Sequence, residues 1–231
     1  MGREQLSVSD VAKFITFEGG EGAGKTTQIR RLSHYLQDRG QPVIQTREPG
    51  GSRGAEEIRK LLVDGDPNRW DAETEALLHS AARRDHLMKT ITPALAAGTW
   101  VLCDRFADST IAYQGYGHGV SQQCLNQLNA LVSWDRRPDL TLVLDVGVDV
   151  GLSRAGGRAG IGMAEPEDRY ERMGVAFHER LRAGFLEIAA AEPDRCVVLD
   201  AAQNEEDVFA EIKGVIEDRF FYMKELPMNT C

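Results

Sequence analysis

The segment Gly19-Gly20-Glu21-Gly22-Ala23-Gly24-Lys25-Thr26 constrains this chain more than any other. It fits the spacing G-x-x-x-x-G-K-[ST]. It follows a short apolar run, Phe14-Ile15-Thr16-Phe17, and opens a helical stretch from about Lys25 to Arg39 that Gly40 ends. A strand, a glycine-rich turn and a helix in that order let consecutive backbone N–H groups face inward around a phosphate. The helix N-terminus adds partial positive charge there. Lys25 then reaches the β- and γ-phosphates of a nucleoside triphosphate, the Thr26 hydroxyl is placed to bind Mg²⁺, and Thr27 joins residues 19–26 in the expected ATP site. Alone, the motif leaves ATPases, GTPases, regulators and small-molecule kinases open.

The remaining elements fit the same scaffold. Val43–Thr46, Trp100–Cys103, Leu140–Val146 and Cys196–Leu199 read as short buried strands. Between them, helices are predicted over Gly54–Val63, Ala72–Ala97 (bent near Pro93), Ser121–Ser133, Val148–Arg154 and Glu205–Phe221. Tyr170, Met173, Phe177, Leu181, Phe185 and Ile188 recur at helical spacing, which adds an amphipathic helix. The alternation, with the phosphate-loop motif, predicts an α/β fold of the P-loop NTPase type: a doubly wound parallel sheet of about five strands with helices on both faces. One domain is expected over 13–221, with an extension at 1–12, a glycine-containing loop late in the chain and a tail at 222–231. Ligands in such sheets bind at the carboxyl ends of the strands. Fourteen of the 23 glycines fall in 19–24, 50–54, 115–119 and 156–162, as loops near a ligand require.

Composition excludes several classes. Among 231 residues the net charge is −9, which argues against a nucleic-acid partner. No apolar run approaches the ~20 residues that span a bilayer. No charged start followed by an apolar stretch precedes the first strand, so export and a membrane role are not expected. Cys103, Cys124, Cys196 and Cys231 form no C-x-x-C pair, which fits a reducing, cytoplasmic setting.

Further segments narrow the choice. Thr46-Arg47-Glu48-Pro49-Gly50-Gly51 follows the second strand, and Asp104-Arg105-Phe106 follows the third. The latter leads into Asp108-Ser109-Thr110-Ile111-Ala112-Tyr113-Gln114-Gly115. Ala81-Ala82-Arg83-Arg84-Asp85-His86 lies on the long helix, Arg136-Arg137-Pro138-Asp139-Leu140-Thr141-Leu142 precedes the fourth strand, and Asp168-Arg169 opens the penultimate helix. In this order they resemble the thymidylate kinase family, nucleoside monophosphate kinases that convert dTMP to dTDP, over about Phe14 to Ile216.

The resemblance implies the following roles. ATP and dTMP are the small-molecule partners, Mg²⁺ is the cofactor and a homodimer is usual. Glu21 contacts the sugar 3′-hydroxyl, as a carboxylate can. Arg47 and Arg105 clamp the acceptor phosphate, since planar guanidiniums grip a dianion and aim its oxygen at the γ-phosphorus. Asp104 sits near Mg²⁺. Arg83 recognises a thymine carbonyl, while Ser109, Thr110, Tyr113 and Gln114 line the base and sugar pocket. Ala201, after the last strand, packs near adenine. His79 stands where the family usually has a phenylalanine that stacks on thymine, so it either keeps the platform or alters base selection.

Phosphoryl transfer develops negative charge that positive groups must meet. Some members of this family place an arginine inside the phosphate loop; here positions 20–23 read Gly, Glu, Gly, Ala. The other class supplies arginines from a short lid that closes over ATP; the resemblance places that lid at about 153–168 here, so they would be Arg154 and Arg158, with Arg169 able to share the task. Gly156 stands where a third is sometimes found, and Ile161–Glu167 lengthen the lid. No general base is needed, because the attacking oxygen belongs to an anionic phosphate. Two alternatives stay open: a P-loop kinase with another nucleotide or nucleoside acceptor, and a P-loop ATPase or regulator acting on a partner protein.

Overall fold

β1 (Phe14–Glu18) alternates its side chains between two layers, as a strand must: Ile15 and Phe17 enter one apolar cluster and Phe14 another. The computed structural model describes residues 11–64, 69–133, 136–159, 170 and 173–221, with side chains of the 136–159 stretch described to 157. The N-terminal extension before residue 11 and the tail at 222–231 lie outside the described residues.

β1 pairs in parallel with β3 (Trp100–Asp104) and β4 (Leu140–Asp145). β2 (Val43–Arg47) pairs with β3, and β5 (Cys196–Asp200) with β4. The sheet is five-stranded and parallel, in the order β2-β3-β1-β4-β5, as the alternation predicted. Register sets Arg47 opposite Asp104 and Asp145 opposite Asp200, so polar side chains collect along one carboxyl edge.

On one face, α1 (Lys25–Asp38) and α9 (Glu205–Ile216) bury Leu32, Leu36, Ile212 and Ile216 against Ile15, Phe17, Leu102 and Leu142. On the other, Leu87 and Ile91 cover Phe14, Val101 and Cys103. Nearby, α8 (Val175–Ala191) buries Leu181, Phe185 and Ile188 against Val143. Each such side chain contributes about 1.5–3 kcal/mol by leaving water. Helix starts follow the local chemistry. The Ser52 hydroxyl caps α2 (Arg53–Val63), the Asp71 carboxylate caps α3 (Ala72–His86), and Asn204 caps α9.

Several elements differ from the sequence reading. The helix expected over 72–97 is α3, a π-helical turn at Leu87–Ile91 and α4 (Thr92–Ala96); the irregularity falls just before Pro93, which has no N–H to continue the ladder. Residues 107–117, left without a helix, form α5 (Ala107–Thr110) and a π-helical turn, Ile111–Gly117. Gly117 there is a packing residue, because a Cβ would stand 2.5 Å from the Phe177 ring. α6 (Gln122–Ser133) falls as expected. α7 (Val148–Ala159) runs five residues past Arg154, so the first part of the expected lid loop is helical. Tyr170 and Met173 precede α8 rather than belonging to it. The last helix ends in a π-helical turn, Glu217–Phe221, whose Phe220 and Phe221 rings pack on Trp100 at centroid distances of 5.4 and 5.9 Å.

Candidate active site

The loop after β1 turns on glycines. Gly22 has φ +68°, and a Cβ there would stand 2.0 Å from the carbonyl oxygen of Gly151 on α7, so any side chain would displace the loop. Gly24, at φ +89°, precedes α1 directly, which leaves the first-turn N–H groups of α1 facing the loop. Lys25 Nζ donates to the carbonyl oxygens of Gly19 at 3.2 Å and Gly20 at 3.0 Å, holding its charge over the loop. Ala23 is buried. The Thr26 hydroxyl donates to Asp104 Oδ2 at 3.0 Å, joining α1 to the end of β3, and Thr27 is half-buried behind it.

Arg105 follows β3 and takes φ +67°, the one positive φ of a non-glycine residue among the described residues. Its Nη1 donates to the Gly19 carbonyl at 3.0 Å and its Nη2 to Glu21 Oε1 at 2.8 Å. The Tyr113 hydroxyl donates to that same oxygen at 2.5 Å, and its ring centroid lies 5.0 Å from the Arg105 guanidinium. Burial alone would raise the Glu21 carboxyl. Arg105, Lys25 and the Tyr113 hydroxyl outweigh it and hold the group at about 2, so Glu21 is an anion at neutral pH.

Beside this cluster opens a cleft between the end of α2, α3 and the segment 105–114, holding about 510 Å³ when its open mouth is counted. Arg83 forms part of its wall and is only 2% exposed. Its Nε donates to Glu48 Oε2 at 2.8 Å and Nη1 to Asn129 Oδ1 at 3.2 Å. Nη2 donates to the Phe106 carbonyl at 3.0 Å and to Thr110 Oγ1 at 2.8 Å. These four bonds leave one Nη1–H of its five donors. Thr110 therefore holds Arg83, and Glu48 is shared with His86 at 3.1 Å.

Gln114 Nε2 donates to Glu75 Oε1 at 3.3 Å, while its own Oε1 is buried and has no hydrogen-bond partner among the described residues. His79 is half-buried on the same cavity, with Nε2 3.3 Å from the Tyr170 hydroxyl. That hydroxyl donates to Glu75, and the Tyr170 ring meets Tyr113 edge-on at 5.0 Å. Ser109 lines the cavity and donates its hydroxyl to Glu18 Oε2 at 2.5 Å.

The structure therefore brings Glu21, His79, Arg83, Arg105, Ser109, Thr110, Tyr113 and Gln114 to one cavity at the phosphate loop. Arg47 is not on its wall. The Arg47 side chain is exposed and turns to Glu56, with 3.3 Å between Nη2 and Oε2. Arg154 is exposed and donates to the carbonyls of Ala201 at 2.8 Å and Ala202 at 3.4 Å, tying α7 to the turn after β5. The Arg158 side chain, Ile161–Glu167 and Asp168-Arg169 lie outside the described residues. Sequence reasoning missed Glu18 and Glu75, both buried, and Tyr170 as a wall residue. For Glu18 a signal existed: an acid closing an apolar strand must find partners.

A phosphate loop on a parallel sheet, opening beside a cleft lined by arginine and amide groups, defines a P-loop phosphotransferase with a small-molecule acceptor. The family model described as Thymidylate kinase matches residues 17–212. The thymidylate kinase of Caulobacter vibrioides is 55% identical over 206 residues, covering 89% of this chain and 96% of the relative. That of Dinoroseobacter shibae is 52% identical over 200 residues, covering 87% and 94%. The crystal structure of thymidylate kinase from Ehrlichia chaffeensis superposes with a TM-score of 0.71 at 36% identity, covering 89% of this chain and 98% of that one. The chain belongs to the thymidylate kinase family.

Proposed function

We infer that the phosphate loop takes ATP and the adjoining cavity takes dTMP, so that the chain transfers the γ-phosphoryl group of ATP to dTMP and releases dTDP and ADP. The activity is the family's. The residue roles rest on the geometry. The observation that carries the base assignment is that one cavity is lined both by Gln114, whose buried Oε1 has no partner among the described residues, and by Arg83, whose guanidinium has one N–H beyond its four bonds. A thymine edge offers an N–H for the first and a carbonyl for the second. Cytosine presents the reverse pattern at both positions, and burying mismatched polar groups costs about 1–3 kcal/mol each.

His79 and Tyr113 supply flat faces for the base and sugar. Glu21, an anion in the loop, accepts the sugar 3′-hydroxyl, and Arg105 grips the acceptor phosphate beside it. Lys25 and the backbone N–H groups of residues 19–26 hold the ATP phosphates, and Ala201 borders the adenine. Arg154, with Arg158 as the family resemblance implies, supplies positive charge to the transferring group. Arg47 reaches the acceptor phosphate only by leaving Glu56, an exposed pair that binds weakly. Catalysis is then alignment plus charge stabilisation, with the attacking oxygen already anionic.

Thr26 and Asp104 fit Mg²⁺. They present a hydroxyl and a carboxylate oxygen 3.0 Å apart, and no cluster of three metal-ligating side chains exists among the described residues, which suits an ion that keeps water and phosphate as its other ligands. When bound, the ion neutralises charge on the β- and γ-phosphates. A homodimer, usual in the family, is expected, and exposed apolar side chains such as Leu77 on α3 and Leu131 on α6 are available for it; light scattering would read twice the chain mass. No described helix is long and apolar enough to cross a membrane. The family's activity places the enzyme in the supply of dTTP, for which a cytoplasmic location is proposed.

The test is ADP formation by the purified chain with ATP and Mg²⁺, offering dTMP, dUMP, dCMP, dGMP or thymidine. Turnover with dTMP and dUMP but not dCMP is expected. ADP released at the same rate without an acceptor would overturn the reading.

A further inference from the structure

None of these roles uses Glu18, the fully buried acid that closes β1. Its Oε1 accepts the Phe106 N–H at 2.8 Å and its Oε2 the Ser109 hydroxyl at 2.5 Å. The preceding residue, Phe17, accepts the Arg105 N–H at 2.9 Å. The end of β1 thus grips the turn around Arg105 at three points, and Arg105 is the residue there with φ +67°. A left-handed backbone costs an L-residue about 1–2 kcal/mol, so neighbouring bonds must hold it. In this conformation the guanidinium is delivered to Gly19, Glu21 and Ser109, with 3.4 Å from Nη1 to Ser109 Oγ.

We propose that Glu18 is a positioning residue for phosphoryl transfer: its carboxylate, by holding the Phe106 N–H and the Ser109 hydroxyl, sets the turn that aims Arg105 at the acceptor phosphate. The proposal rests on the reading of Arg105 as the phosphate grip. An ionised carboxylate accepts both donors. Once protonated, the Oε2 side becomes a donor, Ser109 must accept from it, and the Ser109 proton turns away. The hold on the turn then weakens.

The surroundings make this change accessible near neutrality. Burial and the Asp108 carboxylate push the Glu18 carboxyl up to about 7, against the pull of the Ser109 hydroxyl, Arg105 and the Phe106 N–H. The charged and titratable groups around it are Asp108 and Arg105, Cys103 from β3 and Cys196 from β5. Arg195 holds Asp108 through a 2.7 Å bond and stands behind it.

Glu18→Gln tests the idea. The amide oxygen still accepts from Phe106, while its NH₂ donates to Ser109, so the variant imitates the protonated acid at every pH. At pH 8.5, kcat/KM for dTMP is expected to fall about tenfold, with KM for ATP within about twofold of wild type. The wild-type-to-variant ratio should shrink toward one by pH 6, as wild type itself becomes protonated. Ionisation of the acceptor phosphate affects both proteins alike and cancels in the ratio. A ratio that stays constant with pH, or a variant equal to wild type at pH 8.5, would overturn the proposal. Ser109→Ala keeps the carboxylate and removes one bond; it should lower kcat/KM for dTMP severalfold at pH 8.5, and it decides the matter if Glu18→Gln does not fold. Arg105→Ala, measured in parallel, separates the two readings. If it leaves kcat/KM for dTMP intact, the phosphate-grip reading fails. If it cripples the enzyme while the Glu18→Gln ratio is flat, only the role of Glu18 fails.

Discussion

Gly151 lies on α7, outside the phosphate loop, yet the loop depends on it. A Cβ at position 151 would stand 2.5 Å from the Glu21 carbonyl oxygen and 3.3 Å from Val146 Cγ1. Ordinary non-bonded contact is about 3.5 Å, so Gly151→Ala must push the loop back by up to about 1 Å. The stability effect is mixed. Overpacking costs about 1–3 kcal/mol, and replacing glycine inside a helix returns about 1 kcal/mol. The net loss is therefore about 0–2 kcal/mol, and the chain stays folded. The rate effect is larger, because displacing an aligned phosphate site by about 1 Å costs on the order of 100-fold. Gly214→Ala on α9 is the control, since nothing lies within 4 Å of its Cβ position; it should gain up to about 1 kcal/mol and leave activity alone. Steady-state kcat/KM for ATP and a urea titration measure both quantities. A Gly151→Ala enzyme with kcat/KM within twofold of wild type would refute the argument.

Other outcomes follow from the same geometry. Arg83→Met leaves Glu48 buried without its main cation and should cost about 3–5 kcal/mol in urea unfolding, well beyond a surface arginine. Glu18 and Glu21 have opposite linkage. Glu18, raised to about 7, favours the folded state at low pH, so the stability of wild type relative to Glu18→Gln should fall as pH rises from about 4.5 through 7. Glu21, held at about 2, contributes stability above pH 4.5 that is lost as pH drops toward 2, so Glu21→Gln should flatten the acid limb of unfolding. His79→Phe removes the bond to Tyr170 and offers a larger face; KM for dTMP should fall a few-fold, read by the ADP assay, and an unchanged or higher KM would remove His79 from the base platform.

Much of the fold was legible because apolar strands and glycine punctuation are local signals. The five strands fell where short apolar runs predicted them, and Gly19–Thr26 marked the phosphate loop. What stayed hidden depends on contacts distant in sequence. Glycines at 115, 117 and 119 read as a loop, yet 115 and 117 sit in a π-helical turn that packs on Leu125 and Phe177. Gly156 and Gly157 likewise read as a loop but continue α7. Glu75 drew no notice within the helix expected over 72–97; it is buried, and Gln114 and Tyr170 reach it from other elements. Arg47 sits at a strand end beside the site, as its motif suggested, but its side chain turns to Glu56 on α2, which no local pattern announces.

The most direct test of the whole account is a crystal structure with dTMP and a non-hydrolysable ATP analogue bound. The account predicts the thymine between His79 and Tyr113, its N–H on Gln114 Oε1 and its carbonyl on Arg83, with the acceptor phosphate on Arg105 facing Lys25. A thymine bound outside this cavity, or an acceptor phosphate that never touches Arg105, would contradict it.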